Sequence, residues 1–74
     1  MGRLRVLDKG GDREIPWDPE DREQLADARF VFETLVRAGY QAYRLEEDGR
    51  TGEFVRRFQP EAYEIVLAPR FQGG

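Results

Sequence analysis

Asp18-Pro19-Glu20-Asp21-Arg22-Glu23-Gln24-Leu25-Ala26-Asp27-Ala28-Arg29-Phe30-Val31-Phe32-Glu33-Thr34-Leu35-Val36-Arg37-Ala38-Gly39 reads as one helix with both ends marked. Asp18 is suited to accept a bond from an orphan N–H as N-cap, and Pro19 to occupy the first helical position. Glu20 and Asp21 complement the positive end of the helix dipole. At 100° per residue Leu25, Ala28, Phe32, Leu35 and Val36 form one apolar stripe, with Phe30 nearly opposite it. Gly39 is a left-handed stop. The spacing predicts a helix from Pro19 to Ala38.

On the N-terminal side, Leu4-Arg5-Val6-Leu7 alternates as a strand with Leu4 and Val6 on one face. Asp8-Lys9-Gly10-Gly11-Asp12 is a turn whose paired glycines supply positive φ values. Arg13-Glu14-Ile15-Pro16-Trp17 returns, with Ile15 and Trp17 inward and Pro16 marking an edge strand. On the C-terminal side, Tyr40 to Leu45 reads as a third strand with Tyr43 and Leu45 inward. A turn centred on Asp48-Gly49 leads to a fourth strand, Glu53 to Phe58, ended by Gln59-Pro60. Tyr63 to Leu67 is the last strand, with Tyr63, Ile65 and Leu67 on one face, and Pro69 stops it. A helix between two hairpin-like units implies a two-layer α+β domain, the helix lying across a mixed sheet. The first and last strands are the most continuously apolar and belong side by side at its centre. The expected core is Leu4, Val6, Ile15, Trp17, Leu25, Phe32, Leu35, Tyr43, Ile65 and Leu67.

Composition narrows the chemistry. With 74 residues there is room for one domain. Ile65-Val66-Leu67-Ala68 is the longest uncharged apolar stretch, far short of a membrane span, and Met1-Gly2-Arg3-Leu4-Arg5 has neither a secretory nor a myristoylation pattern. A cytoplasmic protein with no membrane partner is expected. There is no cysteine and no histidine, so thiolate nucleophile, imidazole base and disulfide are all missing. The fifteen carboxylates read as a solvated face rather than a metal or acid/base site, and neither metal nor cofactor is expected. A net charge of −3 argues against nucleic acid. The chain is expected to be no enzyme, but a monomer handled by other proteins. Eleven of its twelve basic residues are arginine, so Lys9 is the one internal address for chemistry on a lysine amine.

Length and element order resemble the ubiquitin-like β-grasp modifiers over essentially the whole chain. Glu64-Ile65-Val66-Leu67-Ala68-Pro69-Arg70-Phe71-Gln72-Gly73-Gly74 aligns without gaps with the last strand and tail of that family. Apolar positions fall on apolar positions, an arginine stands four residues before the end, and two glycines close the run. Asp48-Gly49-Arg50-Thr51 is shared as well. The resemblance implies a β-grasp domain over residues 1–69 and a flexible diglycine tail over 70–74. It also implies covalent attachment through Gly74 beside Gly73, because a carbonyl with no Cβ near it is open to adenylation and to attack by a thiol or amine. Arg70 and Phe71 would be read by an activating enzyme, and a conjugating enzyme, an isopeptidase and target proteins would complete the partners. The family's partner surface on the exposed sheet face corresponds to Leu7, Ala42, Arg44, Val66 and Ala68, flanked by Arg3, Arg5 and Arg56. It is smaller and more basic here, and Phe71 and Gln72 replace aliphatic and basic tail residues, which points to a divergent bacterial modifier with its own apparatus. Lys9 and the Met1 amine are the acceptors open to chain formation. Two further readings stand beside the modifier. One is a β-grasp sulfur carrier ending in a thiocarboxylate; the other is an interaction module whose terminal glycines are incidental.

Overall fold

The computed structural model describes residues 1–70. The strands are β1 (Gly2–Asp8), β2 (Gly11–Trp17), β3 (Gln41–Leu45), β4 (Thr51–Phe54) and β5 (Glu64–Ala68), and the helix is α1 (Arg22–Arg37). They form a five-stranded mixed sheet in the order β2-β1-β5-β3-β4 with the helix packed across one face. This is an α+β fold with the β-grasp arrangement. β1 and β5 run parallel at the centre, Leu4 beside Ile65 and Val6 beside Leu67, and every other pairing is antiparallel. β2 is an edge strand, so Pro16, which has no N–H, costs the ladder no bond on its outer side.

The helix begins three residues later than the sequence pattern suggests. Asp18 to Asp21 closes a β-turn, the Asp21 N–H donating to the Asp18 carbonyl at 2.9 Å, with Pro19 where its fixed φ suits the turn. The N-cap is Asp21, whose carboxylate accepts from the N–H groups of Glu23 and Gln24 at 3.0 and 3.1 Å. Asp18 instead takes the Glu20 N–H on its own carboxylate, and its N–H donates to the Gln24 side chain. The C-terminal stop is as expected. Gly39 has φ +105°, its N–H donates to the Val36 carbonyl, and the Tyr40 N–H donates to that of Leu35, which satisfies two orphan helix carbonyls.

Phe32 and Ala28 are buried, with Leu25, Val31, Leu35 and Val36 packed around them against Leu4, Val6, Trp17, Ile65 and Leu67. Each large side chain removed from water contributes about 1.5–3 kcal/mol. Four expectations are corrected. β4 ends at Phe54, and the chain then leaves the sheet, so that Phe58 packs on Trp17 and Phe32 at centroid separations of 4.9 and 5.9 Å. β5 starts at Glu64, which leaves Tyr63 exposed ahead of it. In β3 it is Ala42, not Tyr43 or Leu45, that joins the core, because its register partner Leu67 belongs to the helix-side core cluster, whereas Tyr43 is paired with Val66 on the other face. In the β1–β2 turn Gly11 alone takes a positive φ, +117°.

Gly2 pairs with Trp17 at the start of β1, and the indole lies across it while its N–H donates to the Pro60 carbonyl at 2.9 Å. A Cβ on Gly2 would run into the indole ring and the Ala62 carbonyl. Gly2→Ala is therefore expected to destabilise the domain by about 1–3 kcal/mol, the range for overpacking, read as a lower urea midpoint. An unchanged midpoint would show that the Trp17 ring moves aside freely.

Candidate functional site

The sheet face away from the helix is built by strand alternation. Leu4, Val6, Ile65 and Leu67 point into the core, so Arg3, Arg5, Leu7, Glu64, Val66 and Ala68 point the other way. Directly opposed residues of an antiparallel pair share a face. The pairs Tyr43–Val66 and Leu45–Glu64 therefore put Tyr43 and Leu45 on this outer face, and Tyr43–Phe54 adds Phe54. The rings of Tyr43 and Phe54 meet edge to face at 6.0 Å, and Phe54 is 70% exposed.

Of the surface residues expected from the sequence, Leu7, Val66 and Ala68 belong to this face, but Val66 is only 3% exposed and is not open to a partner. Ala42 and Arg44 do not. Ala42 is buried under the helix, and Arg44, opposite Ile65, turns to the helix side. There its guanidinium donates to Gln59 Oε1 at 2.7 Å and lies 3.3 Å from Glu46 Oε1. Arg56 also leaves the outer face, sitting with Val36, Tyr40 and Val55 beyond the β4 edge. The reason is one of parity. Tyr43 and Leu45 are larger than Ala42, and size alone favours burying them. The β3–β5 register decides otherwise.

The outer face has two halves. One is a charge network across β2, β1 and β5. Glu64 is only 3% exposed and accepts a hydrogen bond from Arg3 Nε at 2.6 Å. Arg5 Nε lies 3.8 Å from its other oxygen, and Arg5 reaches Glu14 at 3.5 Å. The hydrogen bond to Glu64, and then its charge, hold the Arg3 guanidinium above its ordinary pKa. A raised value on a base adds stability at every pH below that ordinary value, so this pair contributes evenly across the working pH range. Arg3 also lies over the Tyr63 ring at 5.4 Å. The second half is apolar: Leu7, Val66 and Ala68, then Tyr43, Leu45 and Phe54. The sequence carried one signal for these missed residues. Glu64, Val66 and Ala68 alternate with Ile65 and Leu67, and an apolar outward Val66 calls for apolar neighbours on the next strand.

Lys9 is exposed in the two-residue turn between β1 and β2, where the Gly10 N–H donates to the Asp8 carboxylate at 2.9 Å. Met1 is 80% exposed. Arg70 is exposed just past β5. Phe71, Gly73 and Gly74 lie outside the described residues, as does the tail assignment for 71–74. Among the described residues no group of three or more potential ligand side chains is placed to hold a metal ion, and no helix is long and apolar enough to cross a membrane. The arrangement offers surfaces for binding. Comparison of the chain with protein-family models, with curated proteins and with solved structures finds no match.

Proposed function

We propose that the chain is a ubiquitin-like protein modifier. In this reading an activating enzyme joins the Gly74 carboxylate to AMP with release of pyrophosphate. A cysteine thiolate then displaces AMP, and a target amine displaces the thiolate on a conjugating enzyme. An isopeptidase reverses the bond by hydrolysis. The observation that supports it is the placement of β5 between β1 and β3, the most constrained position in the sheet. A segment that follows such a strand can be pulled into an enzyme channel while the domain keeps its structure. The outer face, with Phe54 and Tyr43 beside the Arg3–Glu64–Arg5 network, supplies a surface by which such enzymes could hold the domain.

The test incubates the purified protein and ATP with adenylating enzymes of bacterial modifier and sulfur-carrier systems, followed by intact mass measurement. A thioester or a branched conjugate from the full chain, absent when Gly73 and Gly74 are deleted, is the expected result. A sulfur-for-oxygen exchange would make the protein a sulfur carrier. No adduct from either form would leave an interaction module.

If chains form, they run through Lys9 or the Met1 amine. Both are exposed, and the turn around Lys9 has room for an adduct. Lys9→Arg is expected to leave only linear linkage on tryptic mapping. Branched linkage in that variant would overturn the assignment.

A further inference from the structure

Two open grooves meet at Arg56. One, of about 400 Å³, lies between the end of α1 and the β3–β4 edge and is lined by Val36, Tyr40, Ala42 and Val55, with Arg56 and Arg70 also on its wall. The other, of about 340 Å³, runs along α1 past Arg29, Phe32, Glu33, Arg57 and Phe58. Arg29, Arg56, Arg57 and Arg70 are all exposed. Among the described residues none of the four makes an ion pair, which holds also for Arg13, Arg22 and Arg37, whereas Arg3, Arg5, Arg44 and Arg50 are each paired. What sets the four apart is that they gather along two adjoining grooves. Glu33 is the one carboxylate lining the two grooves. Four cations thus gather on a chain whose net charge is −3, and the acidic excess lies elsewhere on the surface.

We propose that this arginine-walled double groove is a docking surface for a protein segment that combines carboxylates with an aliphatic or aromatic side chain. Gathering like charges costs energy unless an opposite charge answers them. The planar guanidinium matches a carboxylate with two parallel hydrogen bonds. Arg29 is already oriented, its guanidinium 5.8 Å from the Phe58 ring centroid, which reduces the entropy lost on engagement. The apolar lining of the larger groove gives the segment an anchor, and aromatic or aliphatic anchors ringed by charge carry most of the energy in such contacts. A nucleic acid fits less well. Duplex DNA presents a charge about every 1.7 Å along its axis, more than four arginines can match, and the acidic remainder of the domain repels it. The proposal does not depend on activation at Gly74.

Fluorescence anisotropy with the full chain tests it. The probes are a short labelled peptide of Asp and Glu with a central Leu-Phe pair, the same peptide with lysines in place of the acids, and a labelled oligothymidine. The acidic peptide is expected to bind, and Arg56→Glu combined with Arg57→Glu is expected to weaken it by at least about tenfold and to favour the lysine peptide. Arg13→Glu combined with Arg22→Glu changes the total charge equally at exposed positions outside the grooves and is expected to leave binding within about twofold. Amide shifts on adding the acidic peptide are expected at Val36, Tyr40, Val55 and Arg29. Absence of binding, equal effects of the two double variants, shifts confined to other surfaces, or tighter binding of the oligothymidine would each overturn the proposal. Matching unfolding midpoints for the variants show that the readout is binding and not folding.

Discussion

Phe32→Ala is expected to lower the free energy of unfolding by about 3–5 kcal/mol. Phe32 is 1% exposed and is the one large side chain of α1 that is fully buried. Its ring meets Phe58, which in turn meets Trp17, so a single aromatic cluster joins the helix, the segment after β4 and the end of β2. Truncation removes the apolar contact and leaves a void. The hydrogen-bonded sheet beneath cannot close over it, and Phe58 loses one of its two aromatic partners. A domain this small has a total stability near the lower end of about 5–15 kcal/mol. At about 4–8 °C per kcal/mol, the midpoint should fall by tens of degrees. Trp17 is the only tryptophan and is buried, so its fluorescence reports the transition directly. A thermal midpoint near that of the unaltered protein would mean that the helix is held by Leu25, Leu35 and Val36 instead.

The second large effect is chemical. Under the modifier reading, Gly73→Ala is expected to slow adenylation or acyl transfer on the order of a hundredfold, with no loss of stability. The reacting carbonyl belongs to Gly74, and a Cβ on the residue before it narrows the approach. Displacing a reacting group by about 1 Å can cost about that factor. Gly74→Ala should act in the same direction. Arg70→Leu removes a planar, always-charged fork at the base of the tail and should weaken recognition by an activating enzyme while the fold stays intact, since Arg70 is exposed beyond the last strand. Rates of thioester formation with ATP, read beside urea midpoints, separate the two kinds of effect. Equal rates for Gly73→Ala and the unaltered chain would count against activation at this carbonyl. Loss of acidic-peptide binding in the Arg56 and Arg57 variants would leave that conclusion untouched.

The differences between expectation and structure fall at particular residues. Asp18 and Asp21 both carry the chemistry of an N-cap, and Pro19 is at home in either a first helical turn or a β-turn. The choice went to Asp21 because its carboxylate reaches two N–H groups, while Asp18 closes the turn that brings the chain off β2. Phe58 was expected to close the fourth strand, Glu53 to Phe58. It is drawn off β4 by Trp17 and Phe32, neither of which is near it in sequence. Tyr63 was expected inward and instead lies exposed beneath the Arg3 guanidinium. Glu64 shows nothing in its local sequence to mark it as buried. Its charge is tolerated there because Arg3, 61 residues away, supplies a direct hydrogen bond and Arg5 a second cation.

Local chemistry by itself determined the apolar stripe of α1, its stop at Gly39, the β1–β2 hairpin, the edge character of β2 and the pairing of the two most apolar strands at the centre. Each follows from periodicity, a backbone preference or a missing N–H, properties that neighbouring residues carry with them. Only the tertiary structure decided which face β3 turns to the helix. Alternation requires Ala42 and Tyr43 to point in opposite directions but is silent on which is inward. That choice was made by the register of β3 on β5, where Ala42 meets buried Leu67 and Tyr43 meets outward Val66. The outer surface, with its Tyr43–Phe54 pair and buried Glu64, and the arginine-walled grooves on the helix side of the same β3–β4 edge are therefore products of contacts between residues far apart in the chain.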